Sequence, residues 1–118
     1  MNLSWLFLLN VGTGVLILLL GIPLAKGKVK PNRLYGFRTK KTLSDESVWY
    51  IANRYAGKLM MKTGLVLGLV SLGLYLYNIR TGFLNNMTEN GITILWLVIF
   101  CLPILYLVIA SLKALKKL

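Results

Sequence analysis

The amino-acid sequence predicts an all-α membrane protein: three transmembrane helices with a cytoplasmic loop that contains an amphipathic interfacial helix. Two observations predict it. Of the 118 residues, 57% are hydrophobic and 14% charged, whereas about 25% are charged in a typical soluble domain. The charges are also bunched, so that residues 1–25, 63–79 and 90–112 carry none. A charge-free apolar run of about 18 residues is what crossing a bilayer requires. The same composition excludes a soluble globular enzyme.

The first span is expected over residues 4–25. At 1.5 Å per residue these 22 residues rise roughly 33 Å, enough for a hydrocarbon core of about 30 Å. Positive charge follows this segment at Lys26, Lys28 and Lys30 rather than preceding it, so it reads as a retained anchor and not a signal peptide. The second span is expected over 58–79. Its uncharged part is short, and Lys58 and Lys62 can carry their ammonium groups to the headgroups on apolar stems. The third is expected over 91–112, with a kink at Pro103, which lacks one backbone donor. The whole chain, 1–118, is read as a single membrane domain, with 26–57 as its motif-bearing loop.

Basic residues orient the spans. Residues 26–62 hold ten Lys or Arg, the C-terminal tail three, and the 80–90 loop one, Arg80. Positive charge stays cytoplasmic, so the N-terminus and the 80–90 loop are expected outside and the long loop and C-terminus inside. The net charge of +11 is then explained by topology and by attraction to the anionic inner leaflet, and nucleic acid is not the expected partner. There is no histidine, one cysteine (Cys101) and three acids (Asp45, Glu46, Glu89). That set cannot assemble a zinc site, a disulfide within the chain or a His-dependent nucleophile. No enzyme, cofactor, metal or ion-translocation chemistry is expected.

Within the long loop, Ser44 is expected to cap a helix whose first turn carries Asp45 and Glu46. Val48, Trp49, Ala52, Tyr55, Ala56, Leu59 and Met60 then share one face, and Arg54, Lys58 and Lys62 another. Such a helix either lies in the inner membrane interface or packs on the other spans. Gly57, Gly64, Gly68 and Ser71 form a small-residue stripe that lets helix backbones approach closely. The stripe serves another span of this chain or a docking membrane helix, which could be a peptide or a second copy in a homo-oligomer. Because the stripe and the apolar face point differently, a bend is expected near Gly57. Asn10 and Thr13 are expected to form interhelical hydrogen bonds, Cys101 to be a small buried apolar residue, and Arg80 and Glu89 to anchor the outer loop. Asn86-Met87-Thr88 matches a glycosylation sequon, which a bacterial protein would not use.

The residues Pro31-Asn32-Arg33-Leu34-Tyr35-Gly36-Phe37-Arg38-Thr39, with Thr42-Leu43, Trp49, Asn53-Arg54 and Gly57, resemble the signature of the SdpI family, roughly PN…YG.RT..TL…W..AN…G. The chain is identified as a short three-span member. That resemblance implies a bacterial membrane protein related to the immunity factor against a secreted cannibalism toxin, a membrane-active peptide. In that system the immunity protein also holds a small DNA-binding repressor at the membrane. On this basis Asn32, Tyr35, Gly36, Arg38, Thr39, Thr42, Leu43, Trp49 and Asn53 are the candidate binding residues. Arg38 offers a planar fork of donors to a lipid phosphate, a partner's carboxylate, or Asp45 and Glu46. Thr39 and Thr42 suit a turn into the helix, Asn32 and Asn53 a buried polar network, and Gly36 a special backbone angle. Three functions follow: an immunity-type protein that meets its toxin through residues 80–90 and the glycine face, a signalling module that recruits a soluble regulator through residues 32–53, or a scaffold subunit without a ligand.

Overall fold

A computed structural model describes residues 2–118. It holds four helices: α1 (Leu6–Ala25), α2 (Lys40–Ser44), α3 (Glu46–Thr81) and α4 (Glu89–Lys116). Of these, α1, α3 and α4 are long and apolar enough to cross a membrane. Their outward leucines, isoleucines and valines are exposed along most of the length, as lipid-facing residues are, because lipid tails are as apolar as the side chains.

The central element is α3. Its 36 residues rise about 54 Å, and the longest dimension of the whole molecule is 52 Å. The helix is therefore nearly straight and runs unbroken through Gly57, where the sequence led us to expect a bend. The reason is angular. At 100° per residue, Trp49, Asn53, Ala56, Gly57, Gly64, Leu67 and Ser71 all fall within one arc of the helix, and all are buried. The buried part of the apolar face and the small-residue stripe are one seam, while Tyr55 of that face is exposed, so no bend is needed to reconcile them. In place of a separate interfacial helix, residues 46–62 are the leading part of the spanning helix. A helix of this length exceeds a hydrocarbon core of about 30 Å, so its charged N-terminal third extends beyond the bilayer.

α3 begins at Asp45, not at Ser44. The Asp45 carboxylate accepts from the N–H groups of Ser47 and Val48, while Ser44 ends α2 and its hydroxyl donates to the Lys41 carbonyl. A carboxylate suits the positive end of a helix dipole better than a hydroxyl, and Ser44 is drawn into the turn that Thr39 starts. At the other end Gly82 closes α3 at φ +69°, a left-handed cap that a β-carbon would strain.

α1 lies antiparallel along α3, and glycines of both helices make the contact. A β-carbon at Gly64 would stand 2.5 Å from the Gly14 carbonyl oxygen, and one at Gly57 would stand 2.7 Å from the Gly21 carbonyl oxygen. The two pairs repeat at the same spacing of seven residues on each helix. Gly68 differs, because a β-carbon there would meet only the Val11 carbonyl, at 3.8 Å. The interhelical hydrogen bonds expected of Asn10 and Thr13 do not form. Thr13 lies off the seam and donates to the Leu9 carbonyl of its own helix. Asn10 is fully enclosed with neither amide atom paired, and the Ser71 hydroxyl is buried in the same condition. Backbones held together by glycine leave the polar groups between them little freedom to reorient.

α4 is attached mainly to α3, and its buried residues, Ile92, Ser111 and Leu115, lie at its two ends. It passes through Pro103 without ending, and Cys101, expected to be buried, is exposed. At the end remote from the lysines, Phe7, Leu84 and Ile92 form a small core. The 82–88 connection is pinned there by Asn78, whose Oδ1 accepts from the N–H groups of Leu84 and Asn85. Thr88 caps α4 by accepting from Gly91. Asn78 and Thr88 thus hold this loop, rather than the expected Arg80 and Glu89.

Candidate functional site

Residues 26–45 fold back over the extended N-terminal third of α3. Beyond the first turn, which backbone N–H groups of Gly27 and Lys28 close, the turns of that segment are closed by side chains. Asn32 accepts through Oδ1 from the N–H groups of Leu34 and Tyr35, and its Nδ2 donates to the Lys30 carbonyl at 2.7 Å. This Asx turn is local chemistry that a short amide side chain can perform. The Tyr35 hydroxyl then reaches back to donate to the Leu20 carbonyl in the C-terminal part of α1. Burial raises the Tyr35 phenol above its ordinary value, so it stays a donor throughout the physiological range. Farther along, Thr39 and Thr42 cap α2 reciprocally: Thr39 Oγ1 accepts from the Thr42 N–H, and Thr42 Oγ1 accepts from the Thr39 N–H.

The loop is fastened to α3 by Asn53 and Trp49. Asn53 Oδ1 accepts from the Phe37 N–H at 2.6 Å, and its Nδ2 donates to the carbonyls of Phe37 and Trp49. Reading both peptide groups of Phe37 makes Asn53 a bidentate clasp, and it is buried to 2% exposure. One helical turn earlier, Trp49 is wholly buried and its indole N–H donates to the Val29 carbonyl at 2.9 Å. A buried tryptophan needs such an acceptor. Gly36 sits between the two at φ +120°, where a β-carbon would lie 2.9 Å from Asn53 Oδ1 and 3.0 Å from the Trp49 ring. Both backbone angle and space therefore require glycine at this point.

Most of the candidate binding residues are consequently occupied in holding the loop: Asn32, Tyr35, Gly36, Thr39, Thr42, Trp49 and Asn53. The remainder face outward. Arg38 is exposed, and among the described residues its guanidinium makes no hydrogen bond; Asp45, one of its expected partners, spends its carboxylate on the α3 cap. Leu43 is 47% exposed and Leu34 is 91% exposed. An exposed arginine with two bare leucines nearby in sequence can be read by a partner; a fully paired asparagine cannot. Gly57 and Gly64, proposed as a packing stripe, are covered by α1, so that part of α3 offers no free docking face.

Sequence reasoning missed three parts of this arrangement. Gly14 and Gly21 are the other half of the α1–α3 seam, and their seven-residue spacing, equal to that of Gly57 and Gly64, was the available signal. Asn78 carried no pattern, because its partners come from a turn after the helix. Lys41 donates to the Leu115 carbonyl at 3.0 Å, tying α2 to the C-terminal end of α4, where a cation complements the dipole. That contact joins residues far apart in sequence and left no trace in it.

At the remote end a cavity of about 280 Å³ lies between Asn2, Leu3, Leu84, Asn85, Met87 and Glu89. Among the described residues no group of three or more metal-ligating side chains occurs.

Residues 28–111 match the model of the SdpI/YfhL protein family. Over 36 residues the chain is 47% identical to the uncharacterized protein YfhL of Bacillus subtilis (strain 168), covering 30% of this chain and 33% of that protein. Over 64 residues it is 31% identical to the immunity protein SdpI of the same organism, covering 54% of this chain and 30% of that protein. The aligned segments thus span about a third of each of these relatives. No solved structure matches the chain.

Proposed function

We propose a function from one premise, that this chain belongs to the SdpI/YfhL family. It acts as an immunity-type protein of the bacterial cell membrane that neutralises or senses a membrane-active peptide toxin. The single observation that carries this reading is the 64-residue alignment with a relative named as an immunity protein. The orientation follows the lysines: the basic end is cytoplasmic, and the N-terminus and the 82–88 connection face out. The toxin then meets the outer cavity beside Leu84, Asn85 and Met87, where apolar wall and amide groups suit a peptide that is itself amphipathic. Where α3 leaves the bilayer, its exposed Arg54 and Lys58 lie among the inner headgroups.

A second reading is favoured by a different observation. Arg38, Leu34 and Leu43 stand exposed on a segment whose Asn32, Tyr35, Thr39 and Thr42 side chains are engaged. They form the contact surface of a signalling module that recruits a soluble regulator, and the regulator's surface there is acidic. Salt weakens such a contact.

The test uses a host strain lacking this gene. The strain is exposed to the host's own stationary-phase supernatant while a dye reports membrane potential. Depolarisation is expected in the deletion strain, with rescue by the wild-type chain and by Arg38→Ala, and no rescue by a chain changed at Asn85 and Met87. Rescue that fails only for Arg38→Ala moves the signalling reading to the front. A potential that is unchanged in every strain while toxin is being made rules direct immunity out.

A further inference from the structure

We propose that the basic end of the molecule carries a built-in site for one anionic phospholipid, with its headgroup between α2 and the C-terminal turns of α4 and an acyl chain in the slot between α3 and α4. Two cavities meet there. The one nearer the lysines, about 550 Å³, is walled by Thr39, Lys40, Lys41, Lys113 and Lys116. The inner one, about 310 Å³, lies between Leu24 of α1, Phe37 of the motif loop, Met60 of α3 and Leu107 and Val108 of α4. Leu112 lines both, so the two cavities adjoin at that residue, and a lipid lying across it would occupy both.

The chemistry changes along the slot in the order that a phospholipid changes. Four lysines come first, and none of the three acids of the chain, Asp45, Glu46 and Glu89, lines either cavity. The charged groups that a phosphate meets there are all cations, set beside Ile109, Leu112 and Leu115. At the junction, one residue before Leu112, is Ser111. It is 5% exposed, it lines the inner cavity, and its hydroxyl has no hydrogen-bond partner. A buried hydroxyl in hydrocarbon without a partner is unfavourable. At the depth where headgroup gives way to chain, it faces the place of a glycerol ester carbonyl, which can accept from it. Beyond Ser111 the walls are apolar. Lys41 bonded to Leu115 holds the lysine wall in place. The charge-free stretch of α4 ends at Leu112 and its lysines begin at Lys113, which puts the junction at the headgroup boundary.

The experiment is native mass spectrometry of the full chain released from bilayer discs containing equal phosphatidylglycerol and phosphatidylcholine. The wild type is expected to retain one phosphatidylglycerol in at least about tenfold preference over phosphatidylcholine. The triple variant Lys40→Gln, Lys113→Gln, Lys116→Gln should lose that preference. A charge-matched control, Lys26→Gln, Lys58→Gln, Lys62→Gln, should keep it. All six lysines are exposed, so both variants fold. Ser111→Phe, which fills the junction and leaves every lysine in place, should also lose the lipid. Equal loss in the two triple variants would mean diffuse surface charge and no site. Equal retention of both lipids, retention by Ser111→Phe, or displacement of the lipid by millimolar inorganic phosphate would each overturn the proposal, the last by making this a free-anion site.

Discussion

Asn53 shows how one side chain can decide the shape of a loop. It pairs both the N–H and the carbonyl of Phe37 from a buried position, and removing it leaves the Phe37 N–H unpaired, while the carbonyl keeps the Thr42 hydroxyl. A buried polar group without its partner costs about 1–3 kcal/mol. Asn53→Ala should therefore raise the open population of residues 26–45, and trypsin should cut at the lysines and arginines there roughly tenfold faster or more, because cleavage tracks the open population. Arg38→Ala, which removes an exposed side chain with no hydrogen bond, should leave protection elsewhere in the loop as it is. Equal cleavage of wild type and Asn53→Ala would mean that the clasp does not hold the loop. The turn-forming role of Thr39 and Thr42 and the buried polar role of Asn53 are legible in the sequence, but the groups that Trp49 and Asn53 meet are not. Spacing along the chain says that an amide recurs; only the fold says that it faces the peptide group of Phe37 and not a ligand.

Among the elements, α1 and α3 are joined by backbone proximity, and the glycines in their seam are not equivalent. At Gly64 a β-carbon would press on the backbone of Gly14 and Leu18, at 2.5 and 2.7 Å, and backbone cannot rotate away as a side chain can. Gly64→Ala is expected to destabilise the helix pair by about 1–3 kcal/mol, the usual range for overpacking. Gly68→Ala meets only an ordinary contact and also gains helix propensity of up to about 1 kcal/mol, so it should be neutral or stabilising. Unfolding of both variants in detergent by heat or by denaturing surfactant checks the contrast, and similar losses at the two sites would contradict this account of the seam. The stripe itself was visible in the sequence. Which of its members touch was not, because small-residue spacing is the same whether an added β-carbon would stand 2.5 Å or 3.8 Å from the neighbouring helix.

For the molecule as a whole, the lysines at one end and the capped turn at the other make orientation the governing property. Ten basic residues between 26 and 62 and three in the tail lie on one side, against Arg80 on the other. With exposed Cys101 replaced by Ser, single cysteines at Asn86 and Lys30 report the topology in intact cells. A membrane-impermeant maleimide is expected to label Asn86→Cys directly, and Lys30→Cys only after the membrane is opened. The reverse pattern would invert the molecule, and it would put the outer cavity beyond the reach of any secreted peptide.

The sequence by itself determined the class of the molecule, the number of apolar helices and the end at which charge collects, because each of these follows from composition and from where charges interrupt apolar runs. It also carried the family motif, a local pattern of fixed spacing. The tertiary structure alone decided that the loop is clasped onto a straight α3, that Gly14 and Gly21 complete the seam, that Asp45 rather than Ser44 caps the helix, and that lysines of α2 and α4 converge beside an unpaired serine. These depend on which groups meet across the fold. Hydrogen bonds and steric contact act over a few ångströms in space, and distance in space is the quantity that spacing along a chain does not record.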